Sequence, residues 1–172
     1  MSRTTSEKME GEVVRLAAEL MAAAARTAPK ASGVDSIETV VVDGEKLQVL
    51  AKVMEVKGDE KSNHLQFFAR DANSVRETTA VLLIGVTGEP KKPHNPFNCG
   101  ACGYTGCAEF ISKDKQERED FRGPICVFQA LDLGVALGSA DRTAAALNID
   151  NRMMYSVGAQ RPGSWGSWTP IS

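Results

Sequence analysis

The chain has 172 residues, with 20 Lys and Arg against 22 Asp and Glu for a net charge of −2, and 42% hydrophobic residues. That length can bury a full core as one domain, and the balanced, scattered charge excludes a nucleic-acid footprint. The polar opening Met1–Lys8 has no apolar segment behind it, and no run approaches the roughly 18 apolar residues of a membrane span, so a cytoplasmic protein without a membrane partner is expected.

Taken in chain order, the elements alternate between α and β. Glu7 to Thr27 reads as a helix with Met9, Val13, Leu16, Leu20 and Ala24 on one inward stripe, ended by Pro29. Ile37 to Val42 is β-branched and stops at the turn dipeptide Asp43-Gly44, which predicts a strand. Glu45 to Val56 returns to helical spacing, and Lys57 to Asn63 reads as a polar loop. Asp71 is the expected N-cap of a helix through Val75 and Thr78. The apolar run Ala80 to Val86 suits a strand at the centre of a sheet covered on both faces. Pro90, Pro93 and Pro96 exclude regular structure between Gly88 and Asn98.

Beyond that loop lie all four cysteines of the chain: Cys99, Cys102, Cys107 and Cys126, spaced C-x2-C-x4-C-x18-C. Four thiolates suit a soft four-coordinate metal site, either an iron–sulfur cluster or zinc. Structural zinc sites of four cysteines usually show two separate C-x2-C knuckles. Here three ligands crowd into nine residues and one stands apart, which favours a cluster, with four irons as the nearest bound. Gly100, Gly103 and Gly106 beside the clustered cysteines permit left-handed backbone and open amides facing sulfur. Disulfides are the alternative, disfavoured in a reducing compartment. His94 could replace a thiolate, but four cysteines already complete the set, and His64 has no partner that the sequence names.

A short helix is expected from Gly106 or Cys107, carrying Phe110 and Ile111 inward, and Lys113 to Arg122 reads as a solvated charged connection. Pro124 fits a helix's first turn, which places Cys126 near the N-terminus where the macrodipole favours a thiolate. Phe128, Leu131 and Val135 would then bury one face beneath the cluster. A further helix capped by Ser139 runs to Asn148, Arg152 to Val157 suits a strand, and 159–172 is an irregular tail in which Trp165 and Trp168 read as packing. The expected organisation is a single domain over 1–172 with an inserted cluster-binding region at 88–126.

The stretch Cys99 to Cys107 with Cys126 resembles the small four-cysteine [4Fe-4S] domain of corrinoid iron–sulfur proteins and of a subunit of ion-pumping ferredoxin:NAD oxidoreductases. From about Glu7 to Gly158 the chain is similar to an uncharacterised family of ferredoxin-domain-containing proteins. That resemblance rests on Ala25–Lys30, Asp71–Val86, the cysteine cassette, Leu133–Ser139 and Leu147–Gly158. More weakly, the opening helix leading into Ala25–Gly33, with the strand and helix that follow, resembles FMN-dependent nitroreductases. This last likeness implies an α/β (α+β) nitroreductase-like layered core, a homodimer, and flavin contacts from Arg26, Lys30 and Ser32.

Three functions follow as expectations: a [4Fe-4S] electron-transfer protein with a redox partner protein, a nitroreductase-like oxidoreductase in which the cluster feeds FMN, or a structural zinc module. Whether the chain is an enzyme is left open, and no nucleophile elbow or catalytic triad is present. The family's continuation beyond Gly158, a helix and a closing strand, has no counterpart in the Gly-, Ser- and Pro-rich tail. An unpaired sheet edge left there would favour self-association.

Overall fold

The structure, a computed structural model, describes residues 3–60 and 66–159. Helix α1 (Ser6–Thr27) starts at Thr5, whose hydroxyl accepts from the Lys8 amide, and a 3-10 turn (Ala31–Gly33) leads into β1 (Ile37–Asp43). Then come α2 (Glu45–Glu60), α3 (Gln66–Glu77) and β2 (Ala80–Val86). A short α4 (Cys107–Ile111), the two-residue strands β3 (Gln116–Glu117) and β4 (Arg122–Gly123), α5 (Val127–Ala146) and a one-turn α6 (Tyr155–Gly158) complete the order. The fold is mixed α+β.

β1 and β2 pair antiparallel in the register Ile37 opposite Val86 through Asp43 opposite Ala80. Alternation then sorts their side chains by face. Ile37, Leu82, Ile84 and Val86 meet Met21 and Ala25 of α1 and Ala136 and Ala140 of α5. On the other face, Val40, Val42, Val81 and Leu83 join Leu47, Leu50, Ala51 and Met54 of α2, with Phe68, Ala72 and Val75 of α3 and Val157 of α6. Helices therefore cover both faces of β2, as its unbroken apolar run predicts. Among the described residues its outer edge has no strand partner, so β2 is not central.

Several expectations are corrected. The stripe Met9, Val13, Leu16 and Leu20 faces outward, and α1 instead buries Ala17, Ala18 and Ala25. Helix α5 does likewise, burying Gln129, Asp132, Ala136, Ala140 and Ala144 while Leu131 and Val135 stay exposed. Small residues let α1 and α5 approach each other and the sheet closely, which outweighs the larger apolar side chains on their far sides. Asp71 lies inside α3, not at its cap, because Phe67 and Phe68 extend the helix N-terminally into the core. Its buried carboxylate accepts from Ser156 at 2.6 Å and from Arg152 at 2.8 Å.

Helix α2 runs on to Glu60, through Lys57, which lies buried 3.2 Å from Asp120 and also donates to the Ala159 carbonyl. The rest of the loop expected at 57–63 lies outside the described residues, as do His64, Trp165, Trp168 and all of the tail but Ala159. The charged connection 113–122 folds into the β3–β4 hairpin, and Phe121 packs edge-on against Tyr155 at 5.3 Å. Ser139 sits within one continuous α5, and 155–158 is helical where a strand was expected. Phe110 is buried as expected, but Ile111 is exposed.

Candidate metal centre

The chain leaves β2 at Val86 and reaches the cysteines through a loop held at several points. The Cys126 amide donates to the Gly88 carbonyl at 2.8 Å, and Lys115 donates to the Thr87 carbonyl at 2.6 Å. Gly88 has φ +80°, an angle that favours glycine, and a Cβ there would press on Lys115 Nζ at 3.0 Å and Ile125 at 3.3 Å. Deeper, the buried Lys91 ammonium donates to Val34 O at 3.0 Å and to Ser36 Oγ at 2.5 Å. It also sits 2.5 Å from Asp132 Oδ2, which has no directional hydrogen bond among the described residues. Asp132 Oδ1 accepts from the Ala31 amide at 2.9 Å, and Gln129 links Ser36 (2.7 Å) to Glu89 O (2.7 Å). This polar knot joins the 31–36 segment, the loop and α5 within two turns of Cys126.

Cys126 is the N-cap of α5, with φ −66° and ψ 133°, so Pro124 precedes the helix and does not sit in its first turn. Its residue is 9% exposed, and the macrodipole of a 20-residue helix lies behind it. Phe128, in the first turn, meets Phe97 with ring centroids 4.8 Å apart. Those rings stand two residues from Cys126 and two from Cys99, and they bring the two cysteine-bearing segments together.

In the cassette, Asn98 (φ +49°), Gly100 (φ +71°) and Gly103 (φ +85°) take left-handed backbone. Asn98 Oδ1 accepts from the Cys107 amide at 2.9 Å, and a Cβ on Gly106 would lie 3.1 Å from that oxygen. The Gly103 amide donates to Gly100 O at 2.9 Å, closing the turn between the first two cysteines. Thr105 donates through both its amide and its hydroxyl to Glu109, which holds that carboxyl below its usual range. The amides of Gly100, Ala101, Cys102, Tyr104 and Gly106 have no acceptor among the described residues, an arrangement suited to sulfur acceptors.

All four thiols are free: Cys99 exposed, Cys102 and Cys107 half-buried, Cys126 buried. Among the described residues no three His, Cys, Asp or Glu side chains gather within metal-binding reach. The donor set therefore fits a cluster in chemistry, in open amides and in helix placement, while the cassette stands apart from a closed four-thiol cage. His94 is exposed on the loop.

The residues expected to contact flavin are engaged elsewhere. Lys30 Nζ donates to the carbonyls of Arg26 (2.5 Å), Ala28 (2.8 Å) and Ala25 (3.1 Å), capping the C-terminus of α1. Arg26 pairs with Asp35 at 2.6 Å. Burial pushes the Asp35 carboxyl up, but the Arg26 hydrogen bond, the Ile37 amide and the charges of Arg26 and Lys30 outweigh it and hold it below the ordinary value. Ser32 takes a left-handed φ of +59° in the 3-10 turn. A separate groove of about 2090 Å³ follows the outer edge of β2, reaching Gly88 and Ile125 beside Cys126, and none of Arg26, Lys30 and Ser32 lines it.

The sequence reading missed Lys91, Gln129 and the Phe97–Phe128 pair. One signal was present: Asp132 is the lone charge in the apolar stretch 127–140, and such a residue needs a buried partner.

A family described as "Uncharacterized protein containing a ferredoxin domain (DUF2148)" matches residues 122–161, which include Cys126 and all of α5. An uncharacterized protein of Archaeoglobus fulgidus is 46% identical over 151 residues, covering 87% of this chain and 77% of its own length. No solved structure matches the chain. No helix among the described residues is long and apolar enough to cross a membrane.

Proposed function

The chain belongs to the family of uncharacterized proteins containing a ferredoxin domain, and from that membership we propose that it carries a [4Fe-4S] cluster and transfers electrons to a partner protein. The observation that carries this reading is the set of four free thiols, with Cys126 capping a long helix, Cys99 and Cys102 on a left-handed, amide-rich turn and Cys107 opening α4. Cys99, Cys102, Cys107 and Cys126 would hold the cluster, which when bound accepts and returns single electrons. The chain's own part is to present thiolates, offer amide donors to sulfur and bring the cassette to α5 through Phe97 and Phe128. Ligation draws the cassette onto Cys126, so part of the binding free energy orders the loop.

Anaerobically purified protein should be brown, absorb broadly near about 400 nm with bleaching on reduction, and approach about four irons per chain. A colourless protein with stoichiometric zinc would replace this reading with the structural-module one. Cys126→Ser should cut iron content severalfold; full iron in that variant would place the fourth ligand elsewhere.

A second reading, in which the cluster feeds FMN, is favoured by one observation: the groove beside β2 ends next to Cys126 and offers room for an organic molecule. The internal engagement of Lys30 and Arg26 weighs against a phosphate site at those residues. Stoichiometric FMN released on denaturation, with retention lost in Arg26→Ala, would put this reading first.

A further inference from the structure

Helix α1 carries apolar residues on two opposite sides. Its inward side is small: Ala17, Ala18 and Ala25 are buried against α5 and the sheet. Outward, Met9, Val13, Leu16 and Leu20 are spaced four, three and four residues apart, the a/d rhythm of a coiled-coil seam, and all four are exposed. Helix α5 lies in the same layer and repeats the pattern. Its inward side takes Gln129, Asp132 and Ala136, while Leu131, 58% exposed, and Val135 point out with Gly134 and Gly138 between and beyond them. No charged side chain interrupts that outward side from Val127 to Ala140, since Asp132 is turned inward.

We infer that two copies of this chain pair through the outer face of the α1–α5 layer, with Met9, Val13, Leu16, Leu20, Leu131 and Val135 at the centre of a symmetric interface. Three arguments choose a second copy over other occupants. A seam with a 3.5-residue period is complementary to a helix with the same period, and a twofold axis supplies one without any further surface. On the flank of the seam that carries Lys8, Glu12, Arg15 and Glu19 both signs alternate and pair, Lys8 with Glu12 at 3.9 Å and Arg15 with Glu19 at 3.8 Å and with Asp43 at 3.2 Å, so that flank presents no block of like charge to its copy. That balance also lacks the cationic flank by which an amphipathic helix holds an anionic lipid surface.

Area decides in the same direction. The six side chains expose on the order of 500 Å² of apolar surface per copy, near the upper limit for a monomer's largest patch. Pairing two such faces with their rims reaches about 1,200 Å² or more, the range of stable interfaces. The inference does not depend on the metal, because every residue in it lies on helices outside the cysteine cassette.

Sedimentation of the purified full chain tests it. Wild type should have the mass of two chains at micromolar concentration. Leu16→Lys and Leu20→Lys should weaken association at least tenfold with unchanged far-ultraviolet circular dichroism, and Val49→Lys, at an exposed site on α2, should leave it intact. A wild-type monomer at those concentrations overturns the inference. So does a dimer indifferent to both seam substitutions, which would move the interface to another surface such as the outer edge of β2, or a mass explained only by a different protein. Hydroxyl-radical labelling of the wild type gives a readout that needs no variant. Met9 (48% exposed) should be shielded as concentration rises while Met153 (59% exposed) reacts equally throughout; equal labelling of both overturns the inference.

Discussion

Tyr155 shows how one side chain reports the docking of the cysteine-bearing region. Its hydroxyl donates to Asp120 Oδ2 at 2.6 Å, and its ring meets Phe121 and Phe67. Burial at the hydroxyl end, then the bond to Asp120 and the Asp120 and Glu119 charges, push its pKa up to about 12, although much of the ring is exposed. The folded value exceeds the unfolded one, so this stabilisation is complete below about pH 10 and is lost as pH rises through about 12. Alkaline titration of stability should therefore fall across that window, with the fall reduced in Tyr155→Phe. An unchanged alkaline limb in the variant would assign it to other groups. Lys91 and Asp132 make the stronger residue-scale case. Lys91→Met leaves a buried carboxylate without its cation and should cost about 3–5 kcal/mol in denaturant unfolding. Lys91→Met combined with Asp132→Leu should recover much of that loss.

At the scale of elements, the loop 87–98 and the start of α5 form one unit. The Cys126–Gly88 hydrogen bond, the Lys91–Asp132 pair and the Phe97–Phe128 contact all cross between them. Phe97 is exposed apart from that ring contact, and aromatic pairs of this kind contribute about 0.5–1.5 kcal/mol. Phe97→Ala should therefore change global stability little yet release the iron of the proposed cluster severalfold faster under anaerobic chelation. Equal release rates in variant and wild type would show that the ring pair does not hold the cassette.

For the molecule as a whole, both apolar cores exclude residues 88–126. The cores join α1, β1, α2, α3, β2, α5 and α6, while the cysteine region is attached through polar contacts and ring pairs. Removal of the proposed cluster should leave most of the far-ultraviolet circular dichroism and raise proteolytic cleavage within 88–126. Global unfolding of the iron-free chain would mean that the metal holds the cores as well.

Much of this was legible in the residues. Both longer strands, α1, α2 and α4 follow from local signals: β-branched runs, Asp43-Gly44, helical spacing, and a glycine ahead of Cys107. The four cysteines and their chemistry are covalent facts of the chain, and the left-handed angles at Gly100 and Gly103 follow from having no Cβ. Which side of each helix faces in was decided only by tertiary structure. Periodicity puts Met9, Val13, Leu16 and Leu20 on one stripe and Leu131 with Val135 on another, and it says nothing of where the neighbouring layer lies. Close approach of α1 to α5 and the sheet selected alanine for the inside and left the larger residues outside. The same holds for Asp71, placed inside α3 by the burial of Phe67 and Phe68, and for Lys91, whose partner lies 41 positions away in Asp132. Pairing of a buried charge is a long-range requirement that local sequence cannot state, because it is met by whatever the fold brings alongside.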